Sequence, residues 1–100
     1  MFYPSSTFIS LTMTMTDDNA HQLTQTDLPF YEVNLHCYTQ DLYYGDGLTM
    51  GAYIVAGDVA SFRNGNLRDL FFKNKTAGQN GTITAVATVP MEAIKKQLRF

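Results

Sequence analysis

Near the start of the chain Ile9, Leu11, Met13 and Met15 alternate with Ser10, Thr12, Thr14 and Thr16. A period of two is the pattern of a strand buried on one face. The alternation returns from Phe30 to Thr39, with Tyr31, Val33, Leu35 and Cys37 on one side and Glu32, Asn34, His36 and Tyr38 on the other. A second β-rich run, LTMGAYIVA at 48–56, follows Gly45-Asp46-Gly47. Asp-Gly between two such runs signals a hairpin, because both residues of a tight turn must reach positive φ.

With Asp46 and Gly47 as the turn, Gly45 faces Leu48, Tyr43 faces Met50, Tyr38 faces Val55 and Cys37 faces Ala56. One face then carries Tyr31, Val33, Leu35, Cys37, Tyr43, Met50, Ala52, Ile54 and Ala56, and this is the expected core face. The other carries Glu32, Asn34, His36, Tyr38, Gln40, Leu42, Tyr44, Tyr53 and Val55. A turn at Gly45-Asp46 keeps these faces, whereas a three-residue loop would turn one strand over relative to the other.

Beyond Gly57 the spacing reads as helical. Asp58 can cap a short turn in which Val59 and Phe62 lie three apart, and Asn64-Gly65 interrupts it. Asn66 can cap a second segment, NLRDLFFKNK, with Leu67, Leu70 and Phe71 on one face. Lys73 and Lys75 then fall near its C-terminal end, where the helix dipole favours cations. TAGQNG is turn material, and TITAVATVP reads as a strand with Ile83, Ala85, Ala87 and Val89 on one side. Pro90 suits the first turn of a last helix bearing Met91, Ile94 and Leu98. The order β-β-β-α-β-α predicts an α+β fold: a mostly antiparallel sheet built on the long hairpin 30–57, with two short helices packed on one face.

A chain of 100 residues, 45% of them hydrophobic, supplies one core, so residues 1–100 are expected to form a single domain. Residues 17–28, polar and aperiodic, read as a loop or linker. So small a domain leaves much surface exposed, which makes self-association plausible from the outset. Cys37 stands alone and excludes an intrachain disulfide, so a reducing cytoplasm is the expected setting. The opening residues lack the basic flank and unbroken apolar run of a signal peptide. Met13 and Met15 are alternative starts, and no run approaches the roughly 20 apolar residues of a spanning helix.

The net charge of −2 hides an asymmetry. Residues 1–62 hold seven acids and no Lys or Arg, while residues 63–100 hold seven bases and two acids, −7 against +5. A basic half can address nucleic acid, but an overall pI near 5.4 opposes phosphate affinity, so that reading ranks last.

Candidate chemistry is sparse. His36 and Glu32 share a strand face but lie four residues apart, roughly 13 Å at about 3.3 Å per residue, so His36 lacks an acid partner. Cys37 falls on the core face, where a thiol behaves as a small hydrophobe. One Cys and two His, at 37, 21 and 36, give no zinc-ligand spacing. Gly45-Asp46-Gly47 is followed by no phosphate-binding Lys-Ser/Thr, and two Asn-X-Thr sequons lack a secretory context. Neither cofactor nor metal is implied.

The remaining surface is the second hairpin face, where Tyr53, Tyr38, His36, Tyr44 and Gln40 mix aromatic and polar groups. Such surfaces suit interfaces and ligand sites. The expectation is a soluble binding or assembly module acting through this face, more a binder than an enzyme, and most simply a homodimer about a two-fold axis. The alternative is a small-molecule-binding protein or small enzyme with a pocket between sheet and helices, using His36, Tyr38 and Tyr53 as polar handles.

Overall fold

In the computed structural model, which describes residues 6–46 and 49–92, the chain is built from antiparallel strands. The first sheet is ordered β1 (Ser6–Met15), β8 (Gly81–Pro90), β3 (Pro29–Tyr38) and β6 (Val59–Asn66). The second is ordered β2 (His21–Gln22), β7 (Phe71–Asn74), β4 (Leu42–Gly45) and β5 (Ala52–Ile54). The chain crosses repeatedly between the sheets, and these strand orders are those of a jelly roll, two interlocked Greek keys.

The expected α+β fold is therefore corrected to a nearly all-β sandwich. The apolar face that was to be covered by helices is covered by a second sheet. Val33, Leu35 and Cys37 from β3 and Ile83, Ala85, Ala87 and Val89 from β8 point inward, as their alternation requires, and meet Leu42, Ile54 and Phe72 from the opposite sheet. Ile9, Leu11 and Met13 of β1 pack against the margin of this core and Met15 enters it. Burial of these side chains is the main stabilising term, at roughly 25 cal/mol for each Å² of apolar surface.

Residues 58–75 show why a helical spacing failed to make a helix. Val59–Asn66 is a strand paired with β3, and Phe71–Asn74 is a strand paired with β4 and β2. Asn66 does cap, but it caps a single 3-10 turn, Leu67–Asp69: its Oδ1 accepts from the Arg68 N–H at 3.0 Å. The same oxygen accepts from Leu28 N–H at 3.1 Å. Strand pairing then carries Phe72 rather than Phe71 into the core, and Lys73 lies within β7 with Lys75 just past its end, neither at a helix end. Pro90, expected in the first turn of the last helix, instead ends β8; beyond it Met91 and Glu92 are described, in helical conformation, and Ile94 and Leu98 lie outside the described residues. So do Gly47 of the expected turn and Leu48, the first residue of the run after it.

The long first strand of the hairpin is also corrected. It breaks after Tyr38, where Thr39 adopts φ 71° and Gln40 N–H donates to the Tyr38 carbonyl at 2.9 Å. This tight turn moves the chain from one sheet to the other and shifts its phase. Leu42 and Tyr44 consequently face inward, and Tyr43 faces out. The pairing is Leu42 with Ile54, Tyr43 with Tyr53 and Tyr44 with Ala52, three residues away from the expected register.

The segment 17–28 contributes the short strand β2 and two buried side chains, Leu23 and Leu28. Leu23 N–H donates to Leu70 O, and Leu67 N–H to Leu28 O, both at 2.9 Å.

Candidate binding surface

The five residues expected to share one face are distributed over three environments. His36 and Tyr38 stand on the outer face of the first sheet, their rings nearly parallel with centroids 6.5 Å apart. Across the sheet His36 is flanked by Thr84 and Val59. Tyr44 turns inward and meets Phe62 edge to face at 5.4 Å. Gln40 is buried as a structural clamp: its side-chain amide donates to the carbonyls of Thr76 and Gln79 and accepts from Thr76 N–H at 2.8 Å. Tyr53 alone of the five lies on the outer face of the second sheet, half exposed.

What surrounds Tyr53 was not anticipated. Because β4 lies between β7 and β5, Lys73, Tyr43 and Tyr53 form one row across three strands. Phe72 and Asn74 are buried, so alternation along β7 turns Lys73 outward. Tyr43 meets Tyr53 edge to face, 6.3 Å between centroids, and Lys75 places its ammonium 4.8 Å from the centre of the Tyr53 ring. A cation over an aromatic face is attracted by the ring's quadrupole. Two tyrosines and two lysines thus share a surface that no run of the sequence brings together. The available signal was the alternation of Phe71, Lys73 and Lys75 against Phe72 and Asn74.

Two titratable groups elsewhere, Cys37 and Asp17, are committed to structure. Burial pushes the Cys37 thiol up to about 11, with the carboxylates of Asp41 and Asp58 adding to the effect. The thiol donates to the Gln40 carbonyl at 3.0 Å. Asp17 is held below the ordinary carboxylate range by the Asn19 N–H and by His21, whose Nε2 lies 2.7 Å from its Oδ1. Among the described residues no three His, Cys, Asp or Glu side chains are grouped so as to hold a metal ion. No helix among them is long and apolar enough to cross a membrane.

No protein-family model matches the sequence, and no curated protein matches it. Solved structures are similar at the level of fold. The chain superposes on the polyketide cyclase RemF from Streptomyces resistomycificus with a TM-score of 0.53 at 11% identity, covering 81% of this chain and 54% of RemF. FeII HppE gives 0.57 at 14% identity, covering 84% of this chain and 44% of HppE. A protein of unknown function with a cupin-like fold from Ralstonia eutropha gives 0.51 at 13% identity, covering 90% and 66%. This chain spans about half the length of the first two. Identities this low establish a cupin-like β fold and nothing of activity. Iron belongs to the HppE structure; here His36 lies on an outer face and His21 is engaged with Asp17, so the described residues do not fit such a centre.

Proposed function

We propose that this chain is a non-catalytic binding module whose contact surface is the outer face of the second sheet around Tyr53. The observation that supports this reading is the joint placement of Tyr43, Tyr53 and Lys75, with Lys73 in the same row. Aromatic rings offer apolar area at low entropic cost, and ammonium groups beside them select a negative charge. The complementary ligand carries a carboxylate next to a flat or apolar face, as an acidic sugar does. The interior favours an exterior site as well, because Leu35, Leu42, Phe72 and Ile83 fill the space between the sheets with apolar side chains.

The chain has no tryptophan, and two of its six tyrosines, Tyr43 and Tyr53, lie on this surface, so tyrosine fluorescence carries a signal from it. Titration with an oligosaccharide of glucuronic acid at low salt should give a saturable change. Tyr53→Ala and Lys75→Gln should each weaken it while leaving the circular dichroism spectrum unchanged. A wild-type signal that stays flat with both this probe and a poly-glutamate peptide would overturn the reading. Saturation by the peptide alone would move it from a sugar ligand to an acidic protein partner.

A further inference from the structure

The two sheets end in four edge strands, and an edge strand presents unpaired backbone donors and acceptors to any extended chain that approaches. Three of the four are blunted. β2 has two residues and β5 three, too few to template a partner. β6 carries Arg63, and next to it Asn64 at φ 58° disturbs the extended backbone. β1 differs from all of them. It runs for ten residues, STFISLTMTM, with neither a charge nor a proline, and among the described residues its only strand partner is β8.

We propose that β1 is the self-association edge of this protein: a second copy of the chain pairs antiparallel along it about a two-fold axis. Two four-stranded sheets then become one continuous eight-stranded sheet. The chemistry of the edge fixes the kind of occupant, since a row of backbone N–H and C=O groups is satisfied by another extended strand. Electrostatics favours a second copy. A two-fold axis sets a strand against itself, so any charge on it meets the same charge opposite, and like charges facing across a ladder are destabilising. From Thr7 to Met15 there is none.

The outward side chains point the same way. Thr12 and Thr14 already meet Thr84 and Thr82 of β8, hydroxyl to hydroxyl at 3.1 and 3.0 Å. The same row of Ser10, Thr12 and Thr14 can meet its own copy on the free side. With Thr12 on the axis, Ser10 faces the partner's Thr14 and Leu11 faces the partner's Met13, so hydroxyls stay outside and apolar groups inside. Phe8, 74% exposed, would lie at the end of the new seam and gain cover from it. This inference is independent of the Tyr53 reading, because Tyr53 belongs to the other sheet.

Sedimentation velocity over a range of concentrations, combined with a charge swap, tests it. The wild-type chain should dimerise reversibly. Ser10→Lys/Thr14→Lys should weaken self-association by roughly tenfold or more, and Ser10→Glu/Thr14→Glu should do the same. An equal mixture of the two variants should recover a dimer, while Tyr53→Ala should leave the wild-type dimer intact. A wild-type chain that remains monomeric at its solubility limit overturns the proposal, and so does a dimer unaffected by either charged pair. Amide exchange on the wild-type chain gives a reading that needs no variant to fold: protection along β1 should rise with protein concentration, and concentration-independent protection counts against the seam.

Discussion

Gly81 donates its backbone N–H to Oδ1 of Asn74 at 2.9 Å, closing the connection between β7 and β8. The amide nitrogen of the same Asn74 donates to the carbonyls of Met15 and Asp17, at 3.2 and 2.9 Å. One buried amide therefore ties the end of β1, the chain leading to β2 and the start of β8 to β7. Removing one partner of a buried hydrogen bond leaves the other unsatisfied at a cost of about 1–3 kcal/mol, and Asn74 serves several. Asn74→Ala should lower the unfolding free energy in urea by about 2–4 kcal/mol.

Gly81 is constrained by space. A Cβ there would fall 2.4 Å from Leu42 Cδ2 and 2.9 Å from Asn74 Oδ1. Gly81→Ala should cost about 1–3 kcal/mol by overpacking, read as a lower urea midpoint at unchanged slope.

Leu35 and Tyr53 test the assignment of inner and outer faces. Leu35 is fully buried and Tyr53 is 51% exposed. Leu35→Ala should destabilise by about 2–5 kcal/mol through the cavity it leaves. Tyr53→Ala should fall near the ±0.5 kcal/mol or so typical of surface substitutions. Equal losses would contradict the sandwich.

Cys37 should make stability fall on the alkaline side. Its folded pKa of about 11 lies above the ordinary 9.0, so the unfolded chain loses its proton first as pH rises. The contribution is complete below 9.0 and is lost as pH climbs through about 11. Urea midpoints measured across that interval should fall for the wild-type chain and flatten in Cys37→Ala. The folded thiol should also react slowly with disulfide reagents at neutral pH, because burial suppresses the thiolate.

Asp17 should act in the opposite direction. Its pKa is lowered from 3.8 by the Asn19 N–H and by His21, so the unfolded chain takes up the proton first as pH falls. The benefit is present above 3.8 and disappears as pH drops through the folded value. Asp17→Asn should therefore differ from the wild-type chain at neutral pH and converge with it in acid, followed by the same urea midpoints.

Strands β1, β3 and β8 were legible because each carries enough alternating apolar positions for the period to be unmistakable. β7 was not, since its inward positions are Phe72 and Asn74, and a buried amide interrupts the apolar alternation. In β6 only Ala60 and Phe62 turn inward, too few to separate a period of two from a spacing of three. The phase of β4 depends on one left-handed residue, Thr39, for which no glycine or asparagine gave warning. The surface at Tyr53 needs Lys73 and Lys75 from another strand, so it emerges only once β7 and β4 are paired.

The pairing of β1 with β8 has a consequence for how the molecule is made. These are the first and last strands described, and neither completes the first sheet without the other. Contacts between such distant segments are reached late, since a long loop must close before they stabilise anything. As the chain is synthesised, β1 leaves the ribosome well before β8, its one strand partner among the described residues, and waits with both edges open. Two nascent chains on one message would then present the same neutral strand to each other. Assembly along β1 and misassembly along β1 use the same surface, and what separates them is whether β8 arrives first.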